Sequence, residues 1–326
     1  MNRRLFPTLL VALGLVIAIP TSASAARIKV AVGVGDQSPQ MFSDANWKSL
    51  SLKKTRYFIE WNAIDQPTVL ADADRFVQAA RASGVKVLMH ISTDDINSNP
   101  RRPLPSVADY KSKVGALVQR FRALGVTEWG VWNEANHKSQ PTQNNPKRAA
   151  QFYKAFRGMC RGCKIVALDV LDQAGVEKYI ARWLKAAGSA GRRASIFGVH
   201  NYSEVNRRLK EKRSASSLRR YPGTARIIKA IRKRNKKGKI WYTETGGVAN
   251  FGSAFPCDRQ RQANRTKFMF DMIKRYDKDV ERLYSYNWFG TDNGGCDGFD
   301  AGLVEADGAA RPALATFRSG LRNASR

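Results

Sequence analysis

Eight short runs rich in β-branched and aromatic residues recur along this chain, and the stretches between them carry apolar residues at helical spacing. The runs are RIKVAVGV, TRYFIEW, VKVLMHI, TEWGVWN, KIVALDV, SIFGVHNY, KIWYTET and RLYSYNWF. Helices are expected over 69–82, 107–124, 147–159, 176–187, 224–233 and 259–276, with a last one beginning near Pro312. A strand followed by a helix, repeated, requires parallel strands, because each helix carries the chain back to the end where it started. Eight such units with no linker, repeat or low-complexity segment predict an α/β fold, a single (β/α)8 TIM barrel. An open doubly wound sheet is the competing arrangement. Its phosphate-binding fingerprint is missing, since GVGDQSP at Gly33 has two glycines, no third, and no helix directly behind them.

The opening MNRRLFPTLLVALGLVIAIPTSASA places Arg3 and Arg4 before an apolar run from Leu5 to Ile19 and a small-residue site ending at Ala25. That order reads as a secretory signal peptide over 1–25, which leaves the barrel to 26–326 and predicts a secreted, extracellular protein. An uncleaved anchor is the alternative, and the ASA cleavage pattern argues against it. No later stretch is apolar enough to span a membrane, and the mature chain is expected to be a monomer. Export permits disulfides. Cys160 and Cys163 form CRGC, while Cys257 and Cys296 stand far downstream, so two bridges, Cys160 to Cys163 and Cys257 to Cys296, are expected.

In a barrel of this kind chemistry sits where the strands end and the following loops begin. The residues at those ends are Arg56, Glu60 and Trp61 on the second strand, His90 on the third, and Asn133 and Glu134 on the fourth. The sixth offers His200 and Tyr202, the seventh Glu244, and the eighth Trp288. A lone glutamate at a strand end is most often a solvated carboxylate or half of a salt bridge. Two of them, on the fourth and seventh strands and flanked by aromatics, make a different pattern. Cleavage of a glycosidic bond needs two carboxyl groups facing one cavity, one to attack or activate and one to protonate the departing oxygen.

At this point the sequence resembles clan A of the retaining glycoside hydrolases, the barrel superfamily of cellulases, mannanases, β-xylosidases and endo-galactanases. WNEANH at 132–137 is similar to that clan's Asn-Glu signature on the fourth strand, and IWYTETG at 240–246 to its nucleophile motif on the seventh. GVHNYS, YNWFG and the closing GLVEADGAARPAL follow the same pattern, across nearly the whole mature chain. The resemblance implies that Glu134 is the general acid/base and Glu244 the nucleophile. It further implies that Asn133 holds the sugar 2-hydroxyl, that Arg56 and Tyr202 contact the nucleophile, that Trp288 floors the subsite of the cleaved sugar, and that His200 and His90 line the pocket. Arg56 precedes Glu60 by four residues, so a later strand end would instead bring Glu60 or Trp61 to the sugar. The family's NEPN becomes NEAN here, which leaves the chemistry intact. An acid at Glu134 is expected to have a raised pKa, from apolar surroundings that include Trp132 and from the neighbouring carboxylate.

Other chemistries fit less well. Three histidines, at 90, 137 and 200, make a metal site unexpected, and neither a metal nor another cofactor is implied. The GxSxG elbow of serine hydrolases is missing. The charge raises a further possibility: 56 basic residues against 27 acidic give +29, or +27 without the leader. Residues 207–239 alone hold 15 Lys or Arg against Glu211. A catalytically silent or polyanion-binding secreted barrel is therefore the alternative reading. Nucleic acid is not the expected partner, because Ile227, Ile228 and Ile231 share a helix face and leave the basic residues on a solvated outer face. The loop 206–223 differs, since it follows the sixth strand onto the catalytic face, where its charge would suit an acidic glycan. The sequence thus predicts a cofactor-free retaining β-glycosidase that acts on a carbohydrate chain, with endo action preferred.

Overall fold

A computed structural model describes residues 30–93, 103–208, 214–291 and 298–324. The expected leader over 1–25, the start of the first predicted strand and Cys296 lie outside the described residues.

The first half of the described chain contains β1 (Ala31–Gly35), α1 (Ala45–Leu50), β2 (Lys54–Glu60), α2 (Pro67–Ala82), β3 (Lys86–Ser92), α3 (Val107–Ala123), β4 (Glu128–Gly130), α4 (Pro146–Met159) and β5 (Lys164–Leu171). The second half adds α5 (Val176–Ala187), α6 (Ser189–Arg192), β6 (Ile196–His200), α7 (Tyr202–Arg207), α8 (Ala215–Arg220), α9 (Gly223–Arg232), β7 (Lys239–Thr245), β8 (Asn250–Phe251), α10 (Arg259–Arg275), β9 (Val280–Tyr286), β10 (Phe299–Asp300) and α11 (Pro312–Asn323). Strands β1 to β7 and β9 are parallel and close into a barrel, with β9 pairing back onto β1 from Ala31↔Arg282 to Gly35↔Tyr286. The predicted single (β/α)8 barrel is what forms. The two-residue strands β8 and β10 make a separate antiparallel pair in the loops that follow β7 and β9.

Local chemistry sets the helix boundaries. Asp44, Ser106, Asn145 and Asp258 each accept backbone N–H groups at the start of α1, α3, α4 and α10, and proline opens α2, α4 and α11, where its missing N–H costs nothing. On α9, Ile227 and Ile231 are buried and Ile228 packs against the core, so its basic residues face outward as the spacing predicts. The segment 206–223, expected as one basic loop, instead takes in the last turn of α7 and the whole of α8. Among the described residues no helix is long and apolar enough to cross a membrane.

Alternate residues along each strand separate two kinds of surroundings. Outward side chains such as Tyr57, Val87, Met89 and Tyr242 join the main core beneath the helices. Inward ones build the barrel interior, where Leu88, Val166, Ile196, Trp241 and Tyr284 form their own apolar cluster. Arg282 lies over Trp241 and is ion-paired to Glu128 at the end where the strands begin. Toward the other end the interior becomes polar, with Arg56, His90, Asp169 and Thr243. Two glycines make room for this layer: a Cβ on Gly130 would lie 2.2 Å from the His90 ring, and one on Gly198 would lie 2.1 Å from an Asp169 oxygen.

Cys160 and Cys163 are bridged at the end of α4, as expected. Cys257 is also disulfide-bonded. Its expected partner falls outside the described residues.

Candidate active site

The barrel mouth gathers the glutamates. β4 is only three residues long, and the chain leaves it at Val131. Beyond the strand, Asn133 N–H bonds Ile91 O across 2.7 Å, and Ala135 N–H bonds Asp169 O across 3.0 Å. Between these anchors Glu134 has φ of 41°, a left-handed conformation that a non-glycine residue adopts only when its surroundings impose it. Its own N–H donates to Asp169 Oδ1 at 3.1 Å. The backbone thus turns the Glu134 carboxylate into the mouth.

Glu244 sits near the end of β7, facing it. Arg56, fully buried on β2, donates from Nη1 to Glu244 Oε1 at 2.6 Å and from Nη2 to Asn133 Oδ1 at 2.6 Å. Tyr202 donates to the other oxygen of Glu244 at 3.2 Å. One oxygen of each glutamate and one nitrogen of His200 all lie within 4.8 Å of one another. These distances would suit a metal ion. The hydrogen bond from His200 Nδ1 to Glu134 Oε1, at 2.8 Å, already spans part of this space with a shared proton.

His200 is fully buried between three carboxylates. Its Nδ1 is 2.8 Å from Glu134 Oε1 and 3.5 Å from Glu244 Oε2, and its Nε2 is 3.1 Å from Asp169 Oδ1. Burial disfavours the imidazolium, but the carboxylates of Asp169 and Glu244 outweigh it and raise the pKa to about 10. Glu134 responds in the opposite sense. Burial pushes it up, and the hydrogen bond and charge of His200 more than reverse that, leaving it below its ordinary value. The expectation of a raised Glu134 pKa is therefore corrected: His200 holds it below its ordinary value. Trp132 does not help to raise it, because that ring points outward, stacks on Phe152 at 5.1 Å and donates to Gln140.

The other predicted residues divide. Asn133, Arg56, Tyr202 and His200 meet at the glutamates. His90 does not line the pocket: it is completely buried beneath Arg56, accepts Arg56 Nε at 3.2 Å, and is driven by burial to a pKa of about 3, hence neutral. Trp61 lies at the rim under Lys113, 5.1 Å from its ring centre, and Glu60 accepts Gln66, so the register favours Arg56 over these two.

Trp288 needs the largest correction. It is 0 % exposed, packs edge-on against Trp47 at 5.4 Å, and donates its backbone N–H to buried Asp36, so no sugar can rest on it. The aromatic that β9 sends to the mouth is Tyr286, half-buried, with its hydroxyl in the field of Glu244 and Glu134. Tyr286 and Asp169 were both missed. A single aspartate inside the apolar run KIVALDVL was a usable signal, because a buried charge demands a partner.

The family model of the glycosyl hydrolase catalytic core matches residues 118–317. The chain belongs to that family. This glycosyl hydrolase is an O-glycosyl hydrolase by membership, and its carbohydrate substrate class follows. Its fold is similar to a family 39 glycoside hydrolase from the gut symbiont Bacteroides cellulosilyticus WH2 (16% identity, TM-score 0.62, 89% of this chain and 63% of that one). It is also similar to xylanase 10B from Thermotoga maritima (13%, 0.60, 90% and 95%) and xylanase B from Clostridium stercorarium F9 (15%, 0.58, 89% and 96%). The glycosyl hydrolase thus spans about two thirds of the length of the family 39 enzyme and nearly all of the xylanases. No curated protein matches it.

Proposed function

We propose that this glycosyl hydrolase is a retaining β-glycosidase in which Glu244 is the nucleophile and Glu134 the general acid/base. The observation that carries the reading is the close approach of the two carboxylates, with oxygens within 4.8 Å, from the ends of β4 and β7. Retaining enzymes hold the pair about 5 to 5.5 Å apart, whereas inverting ones need room for a water between them. Glu244, held at both oxygens by Arg56 and Tyr202, attacks the anomeric carbon.

The proton for the leaving oxygen stands on His200, 2.8 Å from Glu134. As Glu244 forms its ester bond it loses the negative charge that helps to hold the imidazolium. The Nδ1 proton then passes to Glu134 and on from Glu134 to the glycosidic oxygen, and the bond to the leaving group breaks, leaving His200 neutral and Glu134 ionised. In the second half Glu134 takes a proton from water, which opens the ester and returns the charge to Glu244. Glu134 hands that proton across 2.8 Å to His200 Nδ1, which restores the imidazolium and the ionised carboxylate. Asp169 fixes the ring and its charge throughout.

Incubation with a panel of plant, fungal and bacterial glycans, xylan among them because several fold neighbours are xylanases, identifies the polymer cut. Proton NMR of the first product then tests the mechanism. Retained configuration is expected, and an inverted first product would overturn the assignment.

A second reading concerns substrate charge. Arg207 lies 4.5 Å from the Tyr221 ring and 5.0 Å from Phe255, Arg208 lies over Phe268, and Arg265 has its pKa lowered by burial and by Arg208 and Arg261. Among the described residues none of Arg207, Arg208 and Arg265 is ion-paired to a carboxylate, which favours an acidic glycan. Export through the leader at 1–25 and a monomeric state complete the proposal. N-terminal sequencing of protein recovered from culture medium and sedimentation analysis test these two points.

A further inference from the structure

Among the described residues one large hydrophobic side chain is exposed, Phe251, at 52 %. It does not hang on a loose tip. Phe251 pairs with Phe299 in the β8–β10 ribbon, its N–H bonds Phe255 O at 2.8 Å, and the neighbouring Asn250 side chain bonds Gly298 O at 2.8 Å. The next pair in the ribbon sets Asn250 against Asp300, whose buried carboxylate is ion-paired to Arg311 at 2.7 Å. Leaving a phenyl face in water forgoes about 1.5–3 kcal/mol of burial. A fold that fixes that face so firmly gains nothing from its exposure unless something covers it.

The ring contacts indicate what does. Phe251 meets Phe299 edge-on at 5.6 Å, and Phe299 meets Tyr202 at 5.2 Å and lies nearly parallel to Tyr286 at 6.4 Å. Tyr202 holds Glu244. An unbroken aromatic path therefore runs from the nucleophile to the rim, and its outermost member is the open one. Pyranose rings present an apolar C–H face that packs on such surfaces.

We propose that Phe251 is the platform of an additional sugar-binding subsite, which takes a pyranose unit of a polysaccharide chain beyond the unit held at the glutamates. This rests on the assignment of Glu134 and Glu244 as the cleavage point. It makes the glycosyl hydrolase a chain-binding enzyme, suited to cutting within a polymer.

The test uses full-length Glu244→Gln protein, which binds without turnover, with Phe251, Phe251→Ala or Phe251→Trp. Xylo-oligosaccharides and oligogalacturonides of increasing length, from disaccharide to hexasaccharide, are titrated by calorimetry. Affinity is expected to rise with length for one series in the Phe251 protein. Phe251→Ala should lose about tenfold on the longer members only, and Phe251→Trp should restore it. Equal affinity of the Phe251 and Ala proteins at every length overturns the proposal. So does a lack of length dependence in the Phe251 protein, including no binding at all. Self-association that Phe251→Ala abolishes without changing sugar affinity would assign the ring to a second copy and overturn it as well. Turnover of an aryl glycoside by active-site variants at Glu134 and Glu244 reports on the cleavage assignment separately, so the two failures are distinguishable.

Discussion

His200 Nδ1 lies 2.8 Å from Glu134 Oε1, and the two shift each other's protonation in opposite directions, the imidazole upward and the carboxyl downward. A proton held on the histidine stands one hydrogen bond away from the carboxylate that is to deliver it.

Asp169 is the group whose removal should expose this arrangement. Asp169→Asn deletes the largest attraction holding His200 cationic, so the His200 pKa falls and the alkaline limb of kcat/KM moves to lower pH from about 10. A loss in kcat of about tenfold or more is expected, since general acid catalysis contributes ~10²–10⁴-fold. The same residue makes a stability prediction. A folded-state pKa above the unfolded ~6.5 contributes stability that is complete below that value and is lost as pH rises through the folded one. Melting temperature measured from neutral pH to about 10 should therefore drop less steeply in Asp169→Asn than in the parent. An unmoved alkaline limb would remove His200 from the proton path.

Substituting the two glutamates should have different consequences. Glu244→Gln should lose essentially all turnover on every substrate. Glu134→Gln should lose about 10²-fold or more on natural glycans while still cleaving aryl glycosides with good leaving groups, which need little protonation. Parallel losses on both substrate types in both variants would show that the roles are not divided this way.

Gly130→Ala should damage the site from below. Its Cβ would enter the His90 ring at 2.2 Å, and His90 supports Arg56, which in turn holds Glu244. Crowding of this kind costs about 1–3 kcal/mol, so a lower melting temperature and a fall in kcat are expected together. Gly158→Ala, on α4 with nothing within 4 Å of its Cβ, is the control and should raise stability slightly. Unchanged activity in Gly130→Ala would mean that the polar layer yields without disturbing the nucleophile.

Replacing Arg207, Arg208, Arg219 and Arg220 together with glutamine tests substrate charge. For an acidic polymer KM should rise severalfold at low ionic strength, and added salt should erase the difference by screening. A neutral polymer should respond to neither change. Identical salt curves for the two proteins on the best acidic glycan would exclude the arginines from substrate choice.

The barrel was legible in the sequence because strand and helix periods alternate eight times and each strand carries a buried apolar face. Glu134 and Glu244 were legible because two carboxylates stood at matching strand ends. What lay beyond a strand end was harder to read. Period-two alternation puts Tyr284, Tyr286 and Trp288 on one face, yet the chain turns after Tyr286, where Asp36 captures the N–H groups of Trp288 and Phe289. That long-range contact sends Trp288 into the core and leaves Tyr286 at the mouth. His90 was correctly placed on its strand but one layer too high, because its depth depends on the space left by Gly130.

The polar layer beneath the mouth also limits how this enzyme can be improved. Arg56, His90, Asp169 and Thr243 occupy positions where a sturdier barrel would carry branched aliphatics, and redesign for heat tolerance would select those positions first. Every such replacement would remove a support of the nucleophile or the proton donor. Thermostable variants should therefore be sought among exposed helix positions such as Gly158, with the interior left as it is.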